Sequence, residues 1–329
     1  MNRIGKTALV GLALMTLGAR QPRPEPLLRL ALPLACHLGS DCAVQNHVDA
    51  DPGPDAHDYL CRGRTYQGHN GVDFRLPSLI RMRQGIPVLA SAPGRVLRVR
   101  DGVPDVSVRE RGVAAVADEQ CGNGLVVDDG HGWETQYCHL ANGSVRVKPG
   151  QRVRTGTPLG LVGLSGDTEF PHLHLTVRKD GRAIDPFAYG AAPGSCGGGR
   201  PLWRDRIAYQ SGQVLVAGFA TRVVSMADAQ ANGAVQPPRP TLASPALVAF
   251  VQAIGLEKGD VQKLTVFGPD ARVGATSDAA PLDHDKAQAI IDVGRQRPAG
   301  GWMPGVYQAN YAVRRGGVDV ILRSFQFVM

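Results

Sequence analysis

The stretch Pro171-His172-Leu173-His174-Leu175 places two imidazoles two positions apart within an apolar run. In a β-strand, residues i and i+2 point to the same face and lie roughly 6.6 Å apart. The pattern therefore predicts a strand that presents both imidazoles to one cleft, one bound to a metal ion and the other free beside it. A catalytic zinc takes three protein ligands and one water, and two histidines with a carboxylate form an accepted set.

A second motif, Gly68-His69-Asn70-Gly71-Val72-Asp73, separates a histidine and a carboxylate by four positions. Along a straight strand these side chains would lie roughly 13 Å apart, too far to share an ion. The chain must therefore bend, and Gly68 and Gly71 permit the bend. A fifth candidate, His139, lies in Tyr137-Cys138-His139-Leu140. Each motif alone is a weak indication, because a lone histidine is more often a surface or core residue than a ligand.

The order and the flanking residues of these motifs resemble the lysostaphin-type (LytM-type) zinc endopeptidases, which cut peptide bonds in bacterial peptidoglycan. The resemblance runs from about residue 66 to residue 187. It is carried by residues 69–74, 85–90, 94–96, 122–127, 137–140, 147–153, 156–160, 163–166 and 171–175. Two features depart from the pattern: Phe170 stands where many relatives have glycine, and residues 101–119 form an insertion. Both departures are expected to reshape the substrate groove and to leave the candidate ligands in place.

By this resemblance, His69, Asp73 and His174 are the zinc ligands, and His139 and His172 are the catalytic histidines. Zn²⁺ with two neutral imidazoles and one carboxylate keeps a net charge of about +1, so its bound water can lose a proton near pH ~7. The two remaining histidines would then serve as general base and oxyanion stabiliser. No His-Glu-x-x-His motif occurs in the chain. Which of the two histidines is the base stays open.

The N-terminus and the cysteines predict export to the cell envelope, either periplasmic or secreted. Arg3 and Lys6 precede an apolar run at residues 7–19, which is typical of a signal peptide. This run is shorter than the roughly 20 residues of a membrane-spanning helix. An uncleaved signal anchor is the alternative. Six cysteines, an even number, agree with an oxidising compartment.

One disulfide pairing is favoured among the 15 that six cysteines allow. Predicted strands at residues 123–128 and 133–139 flank the turn Gly130-His131-Gly132, so Cys121 and Cys138 should meet across a hairpin. A bridge between them would brace the strand that carries His139. The partners of Cys36, Cys42, Cys61 and Cys196 stay open. The chain has no Cys-x-x-Cys pair, which argues against a second metal site built from thiolates.

The chain carries a net charge of +7. A basic surface attracts anionic polymers such as the cell wall. The sequence shows no helix-turn-helix, zinc finger or aromatic-basic platform, so nucleic acid is not expected as a partner. No segment beyond the N-terminal run could cross a membrane, and no integral membrane partner is expected.

The sequence divides into five parts, and the fold predicted for it is mainly β. These parts are a signal peptide at 1–19, an irregular cysteine-containing segment at 20–65, the zinc metalloendopeptidase domain at 66–190, a Gly-rich linker at 191–200 and a C-terminal β-sandwich at 201–329. Short apolar runs between glycine turns predict antiparallel strands in the third part. The resemblance implies the lysostaphin-like (duplicated hybrid motif) fold for it.

The C-terminal part is predicted to be an immunoglobulin-like β-sandwich with one or two short helices. Strands are expected at 213–219 and 261–267, and a hairpin at 305–313 and 318–328 turns at Gly316-Gly317. The two helices are expected at 245–254 and 285–297.

Three function classes follow. The first is a zinc endopeptidase acting on peptidoglycan peptide stems, and a D-Ala–diaminopimelate cross-link is favoured because no Gram-positive wall anchor is recognisable. The second is a non-catalytic LytM-type adaptor that activates a cell-wall amidase. The third is a surface binding protein that uses the C-terminal part. The segment before residue 66 is also a candidate to cover the metal, through His57 or Asp58.

Overall fold

The structure is a computed structural model that describes residues 26–329. The signal peptide predicted at 1–19 lies outside the described residues. Ten strands lie between residues 26 and 190. They are β1 (Ala43–Asn46), β2 (Val72–Arg75), β3 (Pro87–Leu89), β4 (Gly94–Arg100), β5 (Asn123–Gly130), β6 (Trp133–Leu140), β7 (Arg152–Val153), β8 (Pro158–Leu161), β9 (His172–Lys179) and β10 (Arg182–Ile184). The mainly β, antiparallel fold predicted for this region is confirmed.

Eight of these strands form one antiparallel sheet in the order β1-β2-β9-β6-β5-β4-β7, with β10 paired to β9. Strands β3 and β8 form a separate antiparallel pair. Alternation along the central strands separates two faces of the large sheet. In β9, Leu173, Leu175 and Val177 are fully buried in the apolar core, so His172 and His174 point to the other face.

Helices are few and short in the described part of the chain. They are α1 (Leu79–Arg83), α2 (Val108–Arg111), α3 (Met226–Asn232) and one 3-10 turn at Val113–Val116. The insertion at 101–119 contains α2 and the 3-10 turn. Serine side chains cap all three α-helices, as in α3, where Ser225 and Asp228 form a capping box. Within residues 26–329, no helix has the length and apolar character needed to cross a membrane.

The C-terminal part consists of two antiparallel sheets that share one apolar core. Its strands are β11 (Gln213–Ala220), β12 (Ala246–Leu256), β13 (Val261–Phe267), β14 (Val273–Asp278), β15 (Lys286–Gln296), β16 (Val306–Arg315) and β17 (Val318–Val328). The sheet orders are β11-β12-β15 and β14-β13-β16-β17. Val251 from the first sheet and Leu264 and Tyr311 from the second are buried in the common core. The predicted strands and final hairpin are present, and the immunoglobulin-like assignment stays a prediction.

Both predicted helix positions, 245–254 and 285–297, are wrong, because Ala246–Leu256 and Lys286–Gln296 form the paired strands β12 and β15. The short helix that this part does contain is α3. All but the first residue of β12 are buried, so the strand lacks polar alternation and its apolar run looks like a buried helix. In β15 the residues Lys286-Ala287-Gln288-Ala289 have good helix propensity. Ten paired positions along β12 override that preference.

The N-terminal segment, expected to be irregular, contributes β1 to the edge of the large sheet. The buried guanidinium of Arg64 donates hydrogen bonds to the carbonyl oxygens of Val44, Gln45 and Gln210, which ties this segment to the chain that leads into the sandwich. The described residues also contain three disulfides, of which Cys61–Cys196 ties this segment to the chain after the large sheet. They join Cys36 to Cys42, Cys61 to Cys196 and Cys121 to Cys138.

Candidate metal centre

The pairing of β2 with β9 brings two candidate ligands together. Asp73 lies directly opposite His174 in the antiparallel register, and Arg75 lies opposite His172. Cross-strand neighbours project to the same face with Cβ atoms about 4.5–5.5 Å apart. Residues 101 positions apart in the chain therefore share one site.

Close packing at the start of β2 brings His69 to the same place. A Cβ atom on Gly71 would lie 2.5 Å from Nε2 of His174 and 2.7 Å from the carbonyl oxygen of Leu175. Only glycine fits there. The backbone therefore passes close to the His174 ring at Gly71. The bend at this point places the His69 imidazole next to Asp73.

Three donor atoms converge at the centre of the site. The Nε2 of His69 lies 3.2 Å from Asp73 Oδ1 and 3.2 Å from His174 Nδ1, and His174 Nδ1 lies 2.9 Å from Asp73 Oδ1. Two ligands of a tetrahedral zinc, each about 2.0–2.1 Å from the metal, lie about 3.3 Å apart. The observed triangle is close to that spacing.

Outer hydrogen bonds fix which nitrogen of each ring faces the centre. The Nδ1 of His69 lies 2.6 Å from the carbonyl oxygen of His47, which can only accept, so Nδ1 carries the proton. The Nε2 of His174 lies 3.0 Å from the Thr176 hydroxyl and 3.2 Å from the Asn70 amide oxygen. The inward nitrogens are therefore unprotonated in the neutral rings. Two lone pairs and a carboxylate oxygen that face one another within 3.2 Å fit a bound cation.

The carboxylate has an outer partner as well. The amide of Asn46, in β1, donates to Asp73 Oδ2 at 2.8 Å, which leaves Oδ1 facing the imidazoles. Neither Asn46 nor His47 is predicted from the sequence. No motif marks them, and the only available signal is the polar run Gln45-Asn46-His47 directly after the apolar Ala43-Val44.

His139 and His172 lie beside this triangle, with their ring centroids 4.6 Å apart. The Nδ1 of His139 donates to the carbonyl oxygen of Ser165 at 2.8 Å, and that of His172 lies 3.0 Å from the carbonyl oxygen of Phe170. Each ring is therefore left with Nε2 unprotonated when neutral, and that of His172 lies 3.4 Å from Asp73 Oδ1. His139 has a φ of 62°, a left-handed conformation that is rare outside glycine. Backbone strain of this kind tends to occur at functional sites.

Charge coupling in the site favours a neutral His139 and an ionised Asp73. Burial, with His172 and His174 nearby, lowers the pKa of His139 well below its ordinary value. Burial would raise the pKa of Asp73, but His69 and His172 outweigh it and hold that pKa well below the usual range. A neutral imidazole next to an ionised carboxylate is the state in which the imidazole can accept a proton.

A second set of donors overlaps the first. Nitrogen atoms of His139, His172 and His174 also lie within 4.8 Å of one another, so this set could hold an ion too. The set formed by His69, Asp73 and His174 is tighter, since all three of its donor distances are 3.2 Å or less.

His57 and Asp58, the residues predicted as candidates to cover the metal, contact other groups instead. His57 faces Asp51 at 3.4 Å, and Asp58 is buried and accepts a hydrogen bond from the Tyr209 hydroxyl at 2.6 Å. The segment before residue 66 supports the centre through Asn46 and His47. Phe170, the departure noted in the sequence, stacks on the buried guanidinium of Arg75 at 4.0 Å.

An open groove leads away from the triangle across the sheet. A cleft of about 340 Å³ is lined by His69, His139, His174 and Arg178, among others. An adjoining cavity of about 210 Å³ shares Cys121 and Gln136 with it. The floor follows one row of paired residues across four strands, Thr176, Gln136, Val126 and Arg98.

Three arginines line this groove. Arg178 lies in the first cleft, and its Nη1 has no hydrogen-bond partner within the described residues. Arg98 and Arg100, both exposed, line the adjoining cavity. With three arginines against one carboxylate, Asp167, the groove carries a net positive charge and suits a substrate that carries carboxylates.

The region before residue 190 is thus an antiparallel β domain that carries a centre of histidines and a carboxylate on one face of its sheet. Residues 67–186 match the family model described as Peptidase family M23. Over these residues the chain is similar to peptidase family M23, and the LytM-type resemblance of the sequence is confirmed.

Curated relatives match over the same region. The chain is 31% identical over 128 residues to the cell division protein DipM of Caulobacter vibrioides, and 32% identical over 117 residues to the peptidoglycan DD-endopeptidase ShyA of Vibrio cholerae. These alignments cover 37% and 36% of the chain but only 17% and 22% of the relatives. The murein hydrolase activator EnvC of Escherichia coli is 33% identical over 112 residues, which are 34% of the chain and 26% of EnvC.

Solved structures match over a similar share of the chain. A zinc-containing peptidase from Vibrio cholerae is 26% identical with a TM-score of 0.28, covering 43% of this chain and 38% of that one. The catalytic domain of the M23 protein EnpA from Enterococcus faecalis is 24% identical with a TM-score of 0.33, covering 47% and 96%.

Proposed function

We propose that the protein is a zinc endopeptidase that hydrolyses peptide cross-links in bacterial peptidoglycan. The observation that carries the proposal is the convergence of His69 Nε2, His174 Nδ1 and Asp73 Oδ1, with the tautomer of each ring fixed by outer partners. The match of residues 67–186 to Peptidase family M23 and the DD-endopeptidase name of one relative support it.

The chemistry assigned to each residue follows from its surroundings. His69, Asp73 and His174 would hold the zinc, which when bound supplies a Lewis acid and an activated water. His139 and His172 each keep Nδ1–H on a backbone carbonyl, so each can present Nε2 to the reacting groups. One would accept a proton and the other would stabilise the developing negative charge.

The cationic groove supports a substrate with free carboxylates. A D-Ala–diaminopimelate cross-link carries such a carboxylate next to the scissile amide, whereas a glycine bridge carries none. Arg178, Arg98 and Arg100 therefore favour the former. The compartment proposed with this substrate is the periplasm or the cell exterior, in agreement with three disulfides in the described residues.

Digestion of purified sacculi, with mass spectrometry of the released peptides, tests the proposal. We expect cross-linked peptides to be cut at the D-Ala–diaminopimelate bond by the parent and by His284→Ala, an exposed histidine of the sandwich. We expect no cutting by His174→Ala or after chelation of zinc. If His174→Ala digests as fast as the parent, the proposal fails.

The same assay separates the main alternative. The EnvC relative is named an activator, so a non-catalytic adaptor for a cell-wall amidase is the second candidate. An adaptor would release no peptides alone and would stimulate an added amidase even as the His174→Ala variant.

A further inference from the structure

The C-terminal sandwich, which lies beyond the residues that match Peptidase family M23, contacts the large sheet at Arg75. Gln288, in β15, accepts a hydrogen bond from Nη2 of Arg75 at 3.0 Å, and Gln45, in β1, accepts one from Nη1 at 3.0 Å. The amide of Gln45 in turn donates to the carbonyl oxygen of Ala287 at 2.9 Å. Arg75 is therefore held between β1 and the sandwich.

The guanidinium of Arg75 is a buried cation whose two acceptors are uncharged. The residue is 1% exposed, and both acceptors are glutamine amide oxygens. Gln230 and Gln252 donate to the same Gln288 oxygen at 3.3 Å, which fixes the position of that oxygen. A buried charge is costly unless it is hydrogen-bonded. Loss of the Gln288 oxygen would therefore cause the guanidinium to move.

Arg75 also contacts the segment that orients His172, which lies directly opposite it in the pairing of β2 with β9. Its guanidinium stacks on the ring of Phe170 at 4.0 Å, a cation–π contact. The carbonyl oxygen of Phe170 lies 3.0 Å from Nδ1 of His172, and the two rings are 5.0 Å apart. The Thr168 hydroxyl donates to the same carbonyl oxygen at 2.9 Å and lies 3.0 Å from that Nδ1. A shift of Arg75 would therefore displace Phe170 and disturb the hydrogen bonds of His172.

We propose that Gln288 and Arg75 are positioning residues for His172, so that the sandwich is a required part of the peptidase site. Gln288 holds the guanidinium of Arg75, and this guanidinium holds the ring of Phe170. The carbonyl oxygen of Phe170 then keeps the proton of His172 on Nδ1 and leaves Nε2 free on the side of Asp73. The inference rests on the proposed function, because it assigns His172 a part in peptide hydrolysis.

Replacement of Gln288 tests the inference on the full chain with zinc. Gln288→Ala removes the acceptor, and we expect kcat for cross-linked peptides to fall about 10- to 100-fold, an effect that a small misplacement of a catalytic group can have. We expect KM and zinc content to stay as in the parent. Gln288→Glu keeps an oxygen that can accept from Arg75 and should recover most of the lost kcat. Gln326→Ala, on the exposed side of β17, is the control and should match the parent.

A spectroscopic measurement tests the same link without depending on activity. The two ring nitrogens of a histidine are distinct, and nitrogen-15 NMR reports which of them carries the proton. The signal that disappears in His172→Gln belongs to this ring. We expect the proton of His172 on Nδ1 in the parent and in Gln288→Glu, and a mixture of both tautomers in Gln288→Ala. The thermal unfolding midpoint shows whether each variant is folded.

An unchanged tautomer of His172 in folded Gln288→Ala would overturn the inference, whatever the rates of cleavage. Equal losses of kcat in Gln288→Ala and Gln288→Glu would also overturn it, because the acceptor oxygen would then have no effect. If the parent cuts no peptide, the proposed function fails. In that case the ring spectra alone decide whether Gln288 positions His172.

Discussion

Asp73 and His174 face each other across an antiparallel strand pair, with Oδ1 of the carboxylate 2.9 Å from Nδ1 of the imidazole. Neither residue can leave this position without a shift in the register of β2 against β9. A one-residue slip would turn every side chain of one strand to the opposite face. Phe74 and Leu173, fully buried in the core, oppose such a slip.

Zinc content should separate the two overlapping donor sets. We expect His69→Ala to lower zinc affinity by at least about 100-fold, since even outer-sphere changes cost 10- to 100-fold. His139→Ala should keep its zinc and lose peptide cleavage. Metal analysis after dialysis against a graded series of chelator concentrations measures this. The opposite pattern would place the ion in the His139, His172 and His174 set.

Asn46 should tune the metal centre without contacting it. Replacement by alanine removes the donor to Asp73 Oδ2, and we expect zinc affinity to fall by about 10- to 100-fold with the fold intact. Asn232→Ala, a half-buried asparagine at the end of α3, is the control. Unchanged zinc affinity in Asn46→Ala would show that the Asn46 amide does not orient the ligand.

Arg178 is expected to bind a carboxylate of the substrate. For Arg178→Gln we expect KM to rise by about tenfold for cross-linked peptides with free diaminopimelate carboxylates. The reason is that the variant loses one hydrogen bond to a charged group. Peptides with the same carboxylates amidated should show equal KM with parent and variant. Steady-state cleavage of both peptides gives the comparison. A similar loss on both would mean that Arg178 supports the fold rather than specificity.

Disulfide removal should destabilise the chain in the order of loop length. The sequence separations are 135 for Cys61–Cys196, 17 for Cys121–Cys138 and 6 for Cys36–Cys42. Chain entropy predicts losses of about 5, 3 and 2 kcal/mol for the corresponding double alanine variants. Urea unfolding of the three variants measures the losses. A reversed order would show that native-state packing around each bridge outweighs the entropy of the unfolded chain.

Asp129 should make stability depend on pH. Burial, with Asp128 and Glu134 nearby, raises its pKa to about 8, and its Oδ2 has no partner within the described residues. The pKa of Asp129 is higher in the folded than in the unfolded protein. Its contribution to the free energy of unfolding is therefore complete below about pH 4 and is lost as pH rises toward about 8.

The variant Asp129→Asn cannot ionise and should remove that loss. We expect its free energy of unfolding to exceed that of the parent increasingly from about pH 4 to pH 8, by at most about 1.4 kcal/mol per pH unit. Asp278→Asn, in an exposed pair with Lys263, is the control and should show little change. Equal pH slopes in parent and Asp129→Asn would show that Asp129 ionises normally in the folded protein.

Strands with one buried face were predictable, because alternation is a local signal. The final hairpin and the strands at 213–219 and 261–267 have it, and all appear in the structure. Strand β12 lacks it, because the core between the two sheets buries one face and a cluster that joins Phe250 to Ala229 of α3 buries the other. Its unbroken apolar run therefore predicts a helix. The polar supports of the site were missed for a related reason. Asn46 and His47 act through one hydrogen bond each to residues more than 20 positions away.

The sequence by itself determined the kinds of donor at the centre and the bend that Gly68 and Gly71 allow. It also determined the alternation that turns His172 and His174 to one face, because strand periodicity depends only on neighbouring residues. Tertiary structure alone decided which nitrogen of each ring faces inward, which carboxylate oxygen Asn46 occupies, and that Gln288 of the sandwich contacts Arg75. These features depend on contacts between distant segments, and chain order does not encode such contacts locally.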